Sequence, residues 1–489
     1  MSKILFSHSY FLRFDPKQWK MQQPFPPLGT LMAAAVVKEA GYEVALFDTM
    51  FARGPEELLS SLSETNPAVF VLYDDGFNYL TKMCLTNMRE AAFEMCKMAK
   101  SHGAKVVVCS SDSTDRYEMY LEAGADAVIA GEGEITLVNL LDAWKNQVED
   151  LSNIEGIIWK KSNLTTTNRS RLVMKDLDQL PMASWELINI EPYRNAWMNS
   201  KGYFSINMYT TRGCPYHCNW CAKPIYGNRY NARSPQRVIQ EISYLQKKFG
   251  ITHIWFCDDI FGLKPGWVNT FAEELQQQGV KIRFKIQSRV DLLLAENNIA
   301  ALARAGCDEV WVGAESGSQK ILDAMDKGTR IEQIQEATTL LKKHNIKPCF
   351  FIQFGYRGET LDDINATIKM VTELMPADIG VSVSYPLPGT KFYEMVKEEL
   401  KSKENWKDSD ELALMFNNTY PPQFYKILHR YLHRKYRSKQ ALESLEQFVG
   451  GNFSRSNFHL KRSVSYLYQK PLAWFMKRRL AEYTSNSIS

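Results

Sequence analysis

Cys214, Cys218 and Cys221 stand in the run TTRGCPYHCNWCAKP, with three residues and then two between them. Thiolates at that spacing on one loop suit the irons of a [4Fe–4S] cube, provided the intervening backbone curls around it. Three ligands leave the fourth iron open to a small molecule, so such a cluster can do chemistry besides passing electrons. A structural zinc site would ask for a fourth Cys or His, and His217, directly beside Cys218, is badly spaced for that role.

The elements that must position this loop alternate between strand and helix. From about residue 205 to 397 the strand signals are SINMYTTR, HIWFCDD, IRFKIQSRV, EVWVGAES, KPCFFIQFG and ADIGVSVSY, separated by helices such as SPQRVIQEISYLQKKFG and KPGWVNTFAEELQQQG. Six such units predict a partial (βα)6 barrel of TIM type. In such barrels function gathers at the C-terminal strand ends, and the cysteine loop follows the first strand. Residues 1–145 show a second alternation: KILFSHSY, EVALFD, AVFVLYDD, AKVVVCSS and DAVIAGEGE as strands, with LGTLMAAAVVKEAGY and a long segment over about 79–102 as helices. This predicts a doubly wound, Rossmann-like parallel sheet whose ligands sit beyond the carboxyl ends of its strands. Residues 146–200 read as a linker, 201–400 as the barrel and 401–489 as a basic helical region.

With 489 residues, 45% hydrophobic and 23% charged, the chain has the composition of a globular protein with two or three cores. No apolar run approaches a membrane span, and MSKILFSHSYF lacks the features of a signal peptide. Nine cysteines, three of them clustered, suit a reducing compartment, so a cytoplasmic location is expected. The net charge of +4 is uneven: Phe424–Ser489 carry 13 Lys and Arg against 3 Asp and Glu.

The cysteine loop opening a six-unit βα series resembles the radical S-adenosylmethionine (SAM) superfamily. The resemblance extends to FCDDIFG, QSRVD, GAESGSQKILDAMDKG, FGYRGET and YPLPGT at successive strand ends. It implies that Cys214, Cys218 and Cys221 hold the cluster, whose open iron would chelate the methionine moiety of SAM. Asp258 or Asp259 would bind the SAM ammonium and Glu315 the ribose, with Ser316, Gln287 and Arg289 nearby. Trp220 would shield the cluster or pack on the adenine. The plain alternatives are helix caps or solvated strand ends for the acids, and a structural ion pair for Arg289.

The N-terminal segments PFPPLGTLMAAAVVKEAGYEVALFD and AGADAVIAGEGEIT resemble the cobalamin-binding domain of B12-dependent radical SAM proteins. That resemblance puts a corrin across the strand ends near Leu28, Gly29, Ser110 and Glu132. Where relatives carry a Gly-Gly pair, this chain reads Cys109-Ser110-Ser111-Asp112, and side chains there would narrow the groove. The Asp-x-His-x-x-Gly motif that supplies a cobalt ligand in other B12 proteins is absent. His8 is the one histidine placed to face a cofactor, although packing explains it equally well. The Met- and Cys-rich stretch holding Cys84 and Cys96 reads as a sulfur-rich packing face.

The basic tail reads as amphipathic helices. They either pack on the barrel with a solvated face or meet an anionic membrane surface or lipid-like substrate; RNA is the less favoured partner. The expected activity is therefore radical functionalisation of an unactivated carbon in a small or lipid-like molecule, with cobalamin as methyl carrier and a flavodoxin or ferredoxin as electron donor. Cobalamin-independent cyclisation, rearrangement or oxidation is the alternative, and a cluster-bearing sensor or RNA-binding module a minor one. Replacing Cys214, Cys218 and Cys221 together by Ala should leave a folded chain that retains no iron and releases no 5′-deoxyadenosine from SAM after anaerobic reduction. Release of the nucleoside by the triple variant would rule out this cluster assignment.

Overall fold

The computed structural model describes residues 3–77, 85–161, 164–223, 225–400, 405–409, 411–449 and 464–485. The start of the helix expected over 79–102, including Cys84, lies outside the described residues; the described part runs Thr86–Ser101.

The first sheet contains β1 (Lys3–Ser7), β2 (Glu43–Phe47), β3 (Val69–Tyr73), β4 (Lys105–Cys109) and β5 (Ala127–Ile129). They pair in parallel in the order β2-β1-β3-β4-β5. Alternate residues serve opposite faces, which is why these strands are apolar on both. Ile4, Phe6, Val71 and Val107 pack under helices Leu28–Glu39 and Glu134–Lys145. Leu5, Phe70, Leu72, Val106 and Val108 pack under Leu58–Thr65 and Thr86–Ser101, where Cys96 is one more buried packing residue. The expected linker extends this sheet: β6 (Ile157–Lys161) pairs antiparallel with β5, and β7 (Leu164–Thr167) with β6.

The second sheet begins with β8 (Ser205–Met208). A short antiparallel pair follows, β9 (Thr211–Arg212) with β10 (Asn231–Ala232). Then come β11 (His253–Phe256), β12 (Arg283–Ser288), β13 (Cys307–Glu315), β14 (Lys347–Phe354) and β15 (Asp378–Val383). The parallel order β8-β11-β12-β13-β14-β15 follows the chain, with a helix after each of the first five strands. Since β8 and β15 do not pair, the sheet is an open half barrel, matching the partial barrel expected. Helices Pro422–Val449 and Tyr466–Ser485 form the basic C-terminal region.

The largest core crosses from one sheet to the other. Tyr10, Leu28, Leu31 and Phe77 of the N-terminal half share it with Ile206, Tyr209 and Val238 of the barrel. The segment Pro24–Pro27 reaches the barrel wall: the Trp197 indole donates to the Pro24 carbonyl at 2.7 Å and the Asn207 amide to the Pro26 carbonyl at 3.0 Å. Phe25 packs on Trp197 and Trp255.

A buried acid follows β14 close to the C-terminal helices. Glu359, after β14, is fully buried and accepts a 2.6 Å bond from the Gly355 amide. Its other oxygen and the hydroxyl of buried Tyr425 have no hydrogen-bond partner among the described residues. Burial pushes the Glu359 carboxyl up to about 8, outweighing the Gly355 amide. A raised folded-state value favours the protonated form, so this contribution to stability is complete at low pH and lost as pH rises through about 8. Glu359→Gln, which cannot ionise, should therefore raise the thermal midpoint more at pH 8.5 than at pH 5, as read by paired melts in the two buffers.

Candidate functional site

The approach to the cysteine loop is built from buried polar groups. At the end of β11, Asp258 is fully buried. It accepts from the amides of Thr210 and Thr211 at 2.6 and 2.9 Å and from the Thr210 hydroxyl at 2.5 Å. Burial raises its carboxyl to about 7 against those hydrogen bonds. The next strand residue, Arg212, is 2% exposed and bridges two acids of the N-terminal domain, with Nη1 to Glu132 at 2.5 Å and Nη2 to Glu134 at 2.6 Å. Gly213 follows with φ +78°, and a Cβ there would meet the Arg229 carbonyl oxygen at 2.2 Å. Only glycine lets the loop leave β9 in this direction.

Within the loop Cys214, Cys218 and Cys221 are half-buried and in no disulfide. Asn219 ties the middle of the loop down. Its amide donates to the Met325 carbonyl at 3.0 Å, its side chain to the Ala324 carbonyl at 2.6 Å and the Tyr356 hydroxyl at 2.8 Å. Lys223 donates to the Tyr216 carbonyl inside the loop. Arg289 lies 3.8 Å from the Tyr216 ring centre, pairs with Asp291 at 3.0 Å and donates to the Lys327 carbonyl at 2.8 Å. Lys327, buried, bonds Glu315 at 2.9 Å and stands 5.9 Å from the Trp220 ring centre. Besides burial, Cys218 contributes to the electrostatics of Arg289 and Lys327, while Lys223 and Asp259 act on Cys214. Burial comes first at Cys214 and raises its thiol.

The expected residues divide accordingly. Cys214, Cys218, Cys221, Trp220, Arg289, Glu315 and the exposed Asp259 gather at the loop, and Gln287 lies half-buried one strand position below Ser288. Glu315 takes φ +54°, a left-handed conformation uncommon for a non-glycine residue. Asp258 is turned inward to hold the β8–β9 turn. Ser316 is fully buried, bonded to Thr367 at 3.1 Å and to the Ser318 amide. Both act as supports for the backbone.

The donor set fits a cluster. Three cysteines outside any disulfide share one loop beside Lys223, Arg289 and Lys327, cations that suit a group carrying net negative charge. The buried Trp220 indole N–H has no partner among the described residues. Among those residues no three His, Cys, Asp or Glu side chains converge to hold a single ion.

The residues expected to contact a corrin, Leu28, Gly29, Ser110 and Glu132, are all buried. A Cβ at Gly29 would meet the Asp75 backbone at 3.2 Å, and Glu132 is taken by Arg212. Ser110 and Ser113 form a capping box on the short helix Ser111–Asp115, with reciprocal bonds of 2.8 and 2.9 Å. Asp112 is held by Arg89 at 2.5 Å and Tyr120 at 2.8 Å. Ser110 and Asp112 of the Ser-Ser-Asp run are thus held by partners within the domain. His8 likewise bonds Asp48 at 2.9 Å and is buried.

Sequence reasoning missed Arg212, Glu134, Asn219, Tyr216 and Lys327, each of which acts through a partner distant in the chain. It also missed Lys285 on β12, whose ammonium lies 5.6–5.8 Å from the ring centres of Phe25, Trp197 and Trp255. Burial lowers the Lys285 value. The period-two alternation of RFKIQS, with buried Phe284 and Ile286, was the available signal.

The Radical SAM superfamily model matches residues 208–371 and the B12 binding domain model residues 20–141. The barrel thus carries a radical SAM domain, with a B12 binding domain before it. An uncharacterized methyltransferase of Pyrococcus horikoshii is 28% identical over 389 residues, 78% of this chain and 81% of that protein. The anaerobic magnesium-protoporphyrin IX monomethyl ester cyclase of Synechocystis is 24% identical over 77% of this chain and 74% of its own. The cobalamin-dependent S-adenosylmethionine radical enzyme OxsB, solved with aqua-cobalamin bound, shares the fold at TM-score 0.75 and 18% identity, covering 98% of this chain and 72% of that one. The cofactors that this pair of domains calls for are a [4Fe–4S] cluster, SAM and cobalamin.

Arg212→Met would leave Glu132 and Glu134 buried without their cation, which should cost about 3–5 kcal/mol of stability. Burial already raises the Glu132 carboxyl, and without Arg212 its chief offset is gone, so the deficit should grow as pH rises. Denaturant midpoints of wild type and variant at pH 5 and pH 8 check this: an equal deficit at both would mean that the acids do not depend on Arg212.

Proposed function

We propose that this radical SAM enzyme is a cobalamin-dependent methyltransferase acting on an unactivated carbon of a small or lipid-like molecule. The observation that carries the reading is the locked approach of the two domains. Arg212, two residues before Cys214, is pinned to Glu132 and Glu134 at the carboxyl end of β5. Phe77, just beyond β3, stacks on Tyr209 at 4.8 Å. Anything held at those strand ends lies beside the cysteine loop. Bound there, the cluster and SAM supply a 5′-deoxyadenosyl radical and cobalamin a transferable methyl group.

The chain's own residues bind, orient and exclude water. The three cysteines anchor the cluster, and Arg289 and Lys327 balance its charge. Asp259 accepts from the SAM ammonium and Glu315, oriented by Lys327, from the ribose hydroxyls. The barrel wall beneath is lined by Trp255, Lys285, Trp311 and Phe351, with Trp311 stacked on Phe351 at 4.8 Å. A flavodoxin or ferredoxin is the fitting electron donor.

The stacked Trp311–Phe351 pair also suits a flat, ring-bearing substrate. Together with the cyclase relative, it supports a second reading, oxidative cyclisation without methyl transfer. The two separate by product. Anaerobic protein given SAM, reductant and hydroxocobalamin should release S-adenosylhomocysteine in a cobalamin-dependent manner if it methylates, but only 5′-deoxyadenosine if it does not.

Asp259→Ala and Glu315→Gln should each raise the SAM dissociation constant roughly tenfold with iron content unchanged. Asp258→Ala should instead cost about 1–3 kcal/mol of stability, because three donors of the β8–β9 turn lose their acceptor. Isothermal titration with SAM and thermal melts on the three variants check the division; weakened SAM binding at Asp258 with an unchanged melt would reverse it.

A further inference from the structure

We propose that the outward face of the last helix, Tyr466–Ser485, seats the enzyme on an anionic lipid bilayer. The inference stands apart from the radical chemistry and rests on the composition of that face.

The helix packs against Pro422–Val449 through Gln469, Ala473 and Leu480, each under 10% exposed, and through the partly buried Met476 and Tyr483. Arg434 donates to Gln469 at 2.9 Å across the pair. A surface helix with one buried stripe normally turns polar residues to water. This one turns out Leu467 at 75% exposure, Tyr468 at 52%, Leu472 at 37%, Trp474 at 57% and Phe475 at 54%. Tyr468, Leu472 and Phe475 recur at four- and three-residue intervals, with Leu467 and Trp474, seven apart, on the adjoining row, so together they form one broad outward face.

The same face is cationic. Lys470, Lys477, Arg478 and Arg479 are exposed beside the apolar residues, against the single acid Glu482. The Arg478 guanidinium stacks 4.4 Å from the Trp474 ring centre. Trp474, Phe475, Arg478 and Arg479 line a shallow depression. Indole beside guanidinium is the chemistry of a membrane interface: the rings enter the headgroup layer while the cations meet phosphates. Leu467 and Leu472 argue against nucleic acid, which offers aliphatic side chains little to stack on. Among the described residues no helix is long and apolar enough to cross a membrane, so this one would lie in the plane of the surface.

Full-length protein should co-sediment with phosphatidylcholine vesicles containing phosphatidylglycerol and be released by raised salt. Trp474→Ser with Phe475→Ser, and separately Arg478→Gln with Arg479→Gln, should each lower the partition coefficient roughly tenfold or more. Both pairs should leave iron content and the thermal midpoint unchanged, since their side chains face outward. The proposal is overturned if wild type fails to bind these vesicles or if either pair of substitutions leaves binding intact. It is also overturned if the face proves to be covered by a second copy, seen as a dimer in sedimentation velocity that the Trp474/Phe475 change dissolves. Tighter binding to single-stranded RNA than to anionic vesicles would equally overturn it.

Discussion

The buried guanidinium of Arg212 is the constraint on which the rest of the site depends. A fully desolvated cation persists only where carboxylates meet it at hydrogen-bond distance, and both carboxylates come from the other domain. The β9–β10 pair and the glycine turn at Gly213 then carry that fixed position directly into the cysteine loop. The loop is therefore located by the strand ends of the N-terminal sheet as much as by the barrel that it belongs to. The rings of Tyr209 and Tyr226, 5.3 and 5.1 Å from the guanidinium, complete a setting that leaves it little room to move.

A second consequence concerns polar residues at strand ends. In an isolated sheet such residues face solvent and stay available to a ligand. Here two sets of strand ends lie near one another, and burial obliges each polar group to find a protein partner. Asp258 takes three donors, Ser110 and Ser113 cap one another, Ser316 bonds Thr367, and His8 bonds Asp48. What remains for chemistry gathers at the rim: the three thiols, Glu315 with Lys327, Asp259 near Cys214, and Arg289 against Tyr216.

The open seam of the half barrel raises a different problem, since a six-stranded sheet leaves its inner wall accessible from one side. The segment Pro24–Pro27 answers part of it by hydrogen bonding to Trp197 and Asn207 and packing Phe25 against Trp255. This places the Lys285 ammonium among three aromatic rings, with Glu309 the acid that most favours its charge.

Both sheets and the cysteine loop at the first barrel strand were legible in the amino-acid sequence; the strand order of the first sheet came only with the structure. Each legible feature rests on local information: hydrophobic periodicity, turn residues and short spacings. The extension of the first sheet by β6 and β7 was not legible, because IEGIIWKK could pair only once β5 offered an edge. The roles of individual site residues were legible in part. Cysteine spacing is a local property and was readable. Whether an aspartate at a strand end serves a ligand or a turn depends on which donors the fold brings within 3 Å, and the chain alone does not state that. Arg212 shows the limit most plainly. Its neighbours in sequence mark it as the residue beside a cluster loop, but its partners Glu132 and Glu134 lie some eighty positions away. Only tertiary structure decided that it joins the two domains, because a buried charge is defined by what surrounds it in space.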